Sequence, residues 1–133
     1  MWLLKTEPTS YSFSDLERDR RTVWDGVKNP AALKQMRAMK KGDQAFVYHT
    51  GDERSAIGIA EIVKEAYPDP ELADPKRSVV DIKKVARLKR PVTLKELKSL
   101  ATFAGSPLLR QGRLSVVPLT KAQWAAIHRR GEK

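Results

Sequence analysis

The sequence predicts a mixed α+β fold, an antiparallel or mixed β-barrel flanked by short α-helices, and two observations carry that expectation. Segments rich in β-branched and aromatic residues cluster between Gln44 and Lys89 without alternating with helical stretches, which argues against a parallel βαβ sheet. Helix-start signals stand before and after that block, at Ser12-Phe13-Ser14-Asp15, Asn29-Pro30, Thr93-Leu94-Lys95-Glu96 and Thr120-Lys121-Ala122-Gln123. A chain of 133 residues with 41% apolar content fits one compact domain spanning residues 1–133.

Trp2 to Lys5 reads as a first strand, stopped by Glu7-Pro8. Ser12 with Asp15 in the capping-box position starts a short helix that runs to about Asp19. Arg20 to Asn29 is expected as a loop. Asn29 can cap the next helix and Pro30 suits its first position, so Ala31 to Met39 is expected helical with Leu33 and Met36 facing inward. Lys41-Gly42-Asp43 ends it. Gln44 to Thr50 and Ala56 to Tyr67 read as strands joined by the polar loop Gly51 to Ser55, and Pro68, Pro70 and Pro75 punctuate a surface loop. From Ser78 to Lys89 the apolar residues Val80, Ile82, Val85 and Leu88 alternate with charged neighbours, Asp81, Lys84 and Arg87 among them. The parity slips between Ile82 and Val85, which predicts a bulge or bend. The two capping boxes at Thr93 and Thr120 start further helices, and Trp124 and Ile127 share the buried face of the last.

Lys and Arg number 26 against 16 Asp and Glu, a net charge of +10, which favours an anionic partner such as nucleic acid. No long amphipathic basic helix carries that charge, so a membrane surface is not the expected partner. The sequence has no cysteine, excluding disulfides, thiolate zinc sites and cysteine nucleophiles. His49 and His128 stand far apart and outside any ligand-spaced cluster, so neither a metal nor another cofactor is expected. Met1-Trp2-Leu3-Leu4 is too short for a signal segment, and the expected location is cytoplasmic, with a monomer as the expected state.

Trp24-Asp25-Gly26-Val27-Lys28-Asn29 and Tyr48-His49-Thr50-Gly51 gather an indole, an amide and an imidazole near loop ends. Trp24 is either core or one side of a stacking site for a flat ring, and Asn29 either caps a helix or pairs with a base edge. His49 is expected at a strand end, partly exposed, where its ring nitrogens could bond a base or a phosphate. It could instead act as a general base for Thr50 or Ser55, oriented by Asp52, in a small hydrolase or nuclease. No phosphate loop, dinucleotide glycine fingerprint or metal motif supports the enzyme.

Lys5-Thr6-Glu7-Pro8, Trp24 to Asn29, Met39 to Asp43, Tyr48-His49-Thr50, Gly58-Ile59-Ala60-Glu61 and Arg113-Leu114-Ser115-Val116 occur in that order, and together the chain resembles an EVE domain over nearly its whole length. EVE domains are similar to the PUA-like group, which includes the YTH readers of methylated adenine. The resemblance implies a PUA-like open barrel, no catalysis, and a nucleic-acid partner whose modified base, methylated or hydroxymethylated cytosine or methylated adenine, enters a pocket. On it, Trp24, Asp25, Gly26, Val27, Asn29, Tyr48, His49 and Thr50 form the base pocket. Lys5, Thr6, Glu7, Pro8 and Lys28 form its rim, with Glu7 structural and paired to Lys5 or a neighbouring donor. The charge pattern adds phosphate contacts: the dense basic stretch Lys83 to Arg90, with Lys83, Lys84 and Arg87, and Arg110 and Arg113 beside the shared Leu114-Ser115-Val116, are expected to take phosphates. A general RNA-binding domain without modification specificity is the alternative binding module. The chain departs from the family pattern at Pro30-Ala31-Ala32-Leu33, where an aromatic residue and a Gln-Ala-Arg run are common. It departs again at Arg77-Ser78, where a tryptophan is common, and at Lys28, where arginine is common.

Overall fold

A computed structural model describes residues 1–133. In chain order the elements are β1 (Trp2–Thr6), α1 (Phe13–Asp19), β2 (Arg21–Trp24), α2 (Pro30–Arg37), β3 (Gln44–His49), β4 (Ser55–Pro68) and β5 (Ser78–Thr93). They are followed by α3 (Leu94–Lys98), a 3-10 turn (Ala101–Phe103), α4 (Pro107–Arg110), β6 (Val116–Pro118) and α5 (Lys121–Gly131). The six strands lie in one sheet ordered β2-β5-β4-β3-β1-β6, and β1 with β3 is its parallel pair. The mixed α+β expectation holds, but the sheet is not closed into a barrel. β2 and β6 are its edges, four and three residues long, and they do not pair with each other.

The local signals act as the sequence predicts. Ser12 with Asp15, Thr93 with Glu96 and Thr120 with Gln123 form capping boxes at α1, α3 and α5. Asn29 caps α2, its Oδ1 accepting from the N–H groups of Ala31 and Ala32 at 2.8 and 3.1 Å, and Leu33 and Met36 are buried. The slip in β5 is a bulge: Ile59 faces Ala86 and Ala60 faces Lys84, so Val85 is the extra residue and is exposed. One expectation changes. Arg21 to Trp24 is a strand, pairing antiparallel with Lys83 to Val80, because β5 is long enough to template four residues that carry no periodicity of their own.

That seam buries Asp81, which the alternation placed among solvent-facing charges. Its carboxylate accepts from the Tyr67 hydroxyl at 2.5 Å and the Arg21 guanidinium at 3.0 Å. The bond to Asp81 pushes the Tyr67 phenol up to about 12.

The core is one cluster of 32 buried apolar residues, with Phe13, Phe46 and Phe103 fully enclosed. Phe46 stacks on Trp124 at 4.0 Å, docking α5 on the sheet. α1 docks through Phe13 onto Gly58, where an added Cβ would collide with the ring. His49 completes that junction. It is 6% exposed, not partly open as expected, and its Nε2 accepts from the Phe13 N–H at 3.0 Å, satisfying a donor that the first turn of a helix leaves unpaired. Its Nδ1 lies 3.1 Å from Glu53 Oε1, so the neutral ring carries its proton there.

At the far end, Glu96 ties three elements. Its carboxylate accepts from Arg90 at 2.7 and 3.0 Å, from Arg130 at 3.4 Å and from the Thr93 N–H at 2.9 Å. The Arg90 guanidinium does most to hold its carboxyl at about 2, against an ordinary value of 4.5.

His49→Ala strands the Phe13 N–H in the interior and should cost about 1–3 kcal/mol in urea denaturation, the usual penalty for an unpaired buried donor; an unchanged midpoint would refute the structural role. The depressed Glu96 carboxyl stabilises the fold above about 4.5, and that contribution is lost as pH falls towards about 2. Glu96→Gln should therefore melt below the parent at pH 7, with the gap closing across that window.

Candidate functional site

The open end of β1 shapes the site. The Lys5 N–H donates to the Ser115 carbonyl at 2.9 Å, carrying the pairing with β6 one residue past its end. The Thr6 hydroxyl donates to the Tyr11 carbonyl at 2.7 Å, and the N–H groups of Ser10 and Tyr11 donate to the Glu7 carbonyl at 2.9 and 3.0 Å. These bonds fold Glu7 to Tyr11 into a tight turn. The Tyr11 ring meets Trp24 edge to face, 6.2 Å between centroids and 87° between planes. The Tyr11 hydroxyl donates to Asp19 at 2.9 Å. Trp24, 7% exposed, is fixed by its pairing with Val80.

Past Trp24 the chain turns at Gly26, whose φ of 79° lies in the left-handed region that favours glycine. The Val27 carbonyl accepts from Arg77 Nε at 3.0 Å. Arg77 thus braces this segment from the position where the family pattern has a tryptophan. Between the turn and the segment lies a cavity of about 540 Å³, a size that suits a small planar ligand. Trp24, Tyr11, Val23 and Val27 supply its apolar surface. Thr6, Ser10, Thr22 and Ser115 offer hydroxyls, and Glu7 and Asp25 offer carboxylates.

The residues expected to form one pocket divide among several places. Trp24, Asp25, Gly26 and Val27 line this cavity with Lys5, Thr6 and Glu7. Tyr48 and Thr50 line a separate space of about 290 Å³ against Arg54, Leu94 and Leu108. Lys5 borders both. Its ammonium donates to the Gly112 carbonyl at 3.1 Å, lies 5.9 Å from the Tyr48 ring, and has its pKa pushed down by burial. His49, between Tyr48 and Thr50, points to the opposite face as strand alternation requires, and is occupied by Phe13 and Glu53. Glu53, not Asp52, orients its ring. The Thr50 and Ser55 hydroxyls donate elsewhere, to Glu7 at 3.1 Å and to the Glu53 carbonyl at 2.6 Å, so no nucleophile and base converge there. Glu7 takes the structural part expected of it, with Thr50 as donor. Asn29 is spent on capping, Pro8 borders neither cavity, and Lys28 faces a third.

Of the five cations assigned to phosphate, Lys83 lies 3.6 Å from Glu61 and Arg87 2.6 Å from Glu17, each held by a carboxylate of the protein. Lys84, Arg110 and Arg113 are exposed. Tyr11, Ser10 and Thr22 were not singled out by sequence, and Ser115 was named only within the Arg113 to Val116 motif. Tyr11 left one faint signal there, an aromatic residue just before a helix cap.

No helix is long and apolar enough to cross a membrane, and no three acidic or histidine side chains gather where they could hold a metal. A family model for the EVE domain matches residues 1–130. Thymocyte nuclear protein 1 of chicken (Gallus gallus) is 39% identical over 157 aligned positions, which include 92% of this chain; the chain spans 65% of that protein's length. A solved structure from Rhodopseudomonas palustris has a TM-score of 0.91 at 41% identity, covering 98% of this chain and 91% of that one. The crystal structure of human THYN1 protein in complex with 5-methylcytosine containing DNA has a TM-score of 0.84 at 36% identity, covering 99% of this chain and 97% of that one. With a family match over nearly its full length, the chain belongs to the EVE domain family.

Proposed function

We propose that this protein is a non-enzymatic reader of a modified base in nucleic acid, with 5-methylcytosine as its leading ligand. The observation that carries the reading is the cavity where Trp24 and Tyr11 stand at right angles beside Asp25 and a set of hydroxyls. Aromatic faces stack on any base, and the carboxylate of Asp25 is an acceptor of the type that takes a hydrogen bond from the exocyclic amine of cytosine. Val27 and the ring edges give a 5-methyl group an apolar contact. The base would leave its helix, or be presented unpaired, to enter. The family relation to human THYN1 supports the cytosine assignment. A nucleic-acid partner places the work inside the cell; the sequence reading puts it in the cytoplasm, whereas the animal relatives carry a nuclear name.

In this arrangement the ring-reading residues are Trp24, Tyr11 and Asp25, with Thr6, Thr22 and Ser115 completing the edge. His49 and Asn29 hold the scaffold instead. Trp24 also belongs to the core, so its removal must be judged in a variant shown to be folded.

Trp24→Ala should lose about 1–3 kcal/mol of affinity for a DNA oligonucleotide bearing one 5-methylcytosine, the range for base–aromatic stacking. Asp25 is exposed, and Asp25→Asn should leave the melting temperature unchanged while lowering the ratio of affinities for methylated over unmethylated strands. If neither variant moves that ratio, the cavity is not the reader; equal affinity of the parent for both strands would favour the alternative of a general RNA-binding domain. The non-enzymatic assignment is checked separately, by incubating the oligonucleotide with excess protein and Mg²⁺ and recovering it chemically unchanged.

A further inference from the structure

A third cavity, about 490 Å³, opens between α2 and the loop that joins β4 to β5. Four cations border it, Lys28, Arg37, Lys76 and Arg77, against one carboxylate, Asp74. Asp74 is turned to its own backbone, its Oδ1 accepting from the Lys76 N–H at 2.9 Å. None of the four cations is in an ion pair, whereas along β5 Lys83, Arg87, Lys89 and Arg90 are matched with Glu61, Glu17, Glu132 and Glu96. The basic run Lys83 to Arg90 is thus largely neutralised by the fold, whereas the four cations that share this hollow are not. Like charges around a shared hollow repel one another unless an anion sits among them. The amides at the start of α2 are already taken by Asn29, so the side chains carry this charge alone.

The hollow adjoins the base cavity. Val27 borders one and Lys28 the other, a single Cα step apart, and Arg77 reaches from its own hollow to the Val27 carbonyl. We propose that Lys28, Arg37, Lys76 and Arg77 hold the phosphodiester backbone of the strand whose base enters the Trp24 cavity. This rests on the reading of the protein as a nucleic-acid reader. The interaction is with phosphate, so it fixes the strand in place and is blind to base identity.

The test uses one DNA oligonucleotide with a single 5-methylcytosine and its unmethylated twin, titrated over a range of salt. In the triple variant Lys28→Gln, Arg37→Gln, Lys76→Gln all three sites are exposed, and melting confirms the fold; Arg77 is left in place because it braces Val27. Both strands should weaken by the same factor, and the log–log salt slope should become shallower by about 0.7–0.9 for each phosphate that is no longer neutralised. Lys83→Gln with Arg87→Gln should leave the slope near that of the parent. A parental slope in the triple variant, or a shallower slope in the β5 variant instead, overturns the assignment. So does a weakening confined to the methylated strand. In a second arm, inorganic phosphate should displace the strand no better than chloride at equal ionic strength; displacement specific to phosphate and abolished in the triple variant would assign the hollow to the free ion. If the parent binds neither strand at low salt, the proposed function falls and this inference with it, whereas an unchanged slope removes this inference alone.

Discussion

The arrangement depends on the pairing of β5 with the strands on either side of it. Sixteen residues long, β5 takes β4 along one edge and holds β2 near its start on the other. Trp24 is where it is because Val80 lies opposite, and β2 has no other partner. The bulge at Val85 lets one strand serve both halves of the molecule, since it resets which side chains face inward between Ile82 and Leu88. Asp81 locks the seam from within, holding β2 through Arg21 and β4 through Tyr67. Burial alone would raise the Asp81 carboxyl, yet the Tyr67 and Arg21 bonds outweigh it and keep the group below the ordinary carboxylate value.

What the sequence disclosed follows the range of each interaction. Ser12, Asn29, Thr93 and Thr120 were legible as caps because the groups they bond lie two or three residues away. The bulge was legible because parity is a local pattern. β2 was not, since its strand character comes from residues nearly sixty positions downstream and its four residues show no period. For the cavity beside Trp24, its linings Trp24 to Val27 and Lys5 to Glu7 could be named as candidates from the family resemblance. Their partner Tyr11 is set opposite Trp24 by a turn that closes on Glu7 and Thr6, and no spacing in the sequence shows that. His49 misled for the same reason: its neighbours suggested a strand end in solvent, while its real partner is the first amide of a helix 36 residues away.

Charge shows the same contrast. Counting basic residues located a dense run from Lys83 to Arg90, and the fold sets carboxylates from α1, β4, α3 and the residue after α5 against it. Those pairs are mostly exposed, and exposed pairs contribute little to stability, so their main effect is on where the surface potential is positive. A net charge of +10 is therefore not carried by the run that counting picks out, and four unpaired cations gather instead around the hollow beside Val27.

β2 is an edge strand with a ladder of hydrogen bonds on one side only, and Trp24 is its last residue. Strands bounded in this way open locally at a fraction of the free energy of global unfolding, so the amides of Arg21 to Trp24 exchange with solvent before those of β3 and β4 in the middle of the sheet. The aromatic side of the cavity thereby lies on one of the two edges of the sheet. If the cavity takes a base, the indole that meets it would thus ride on an edge-strand end rather than on the paired interior of the sheet.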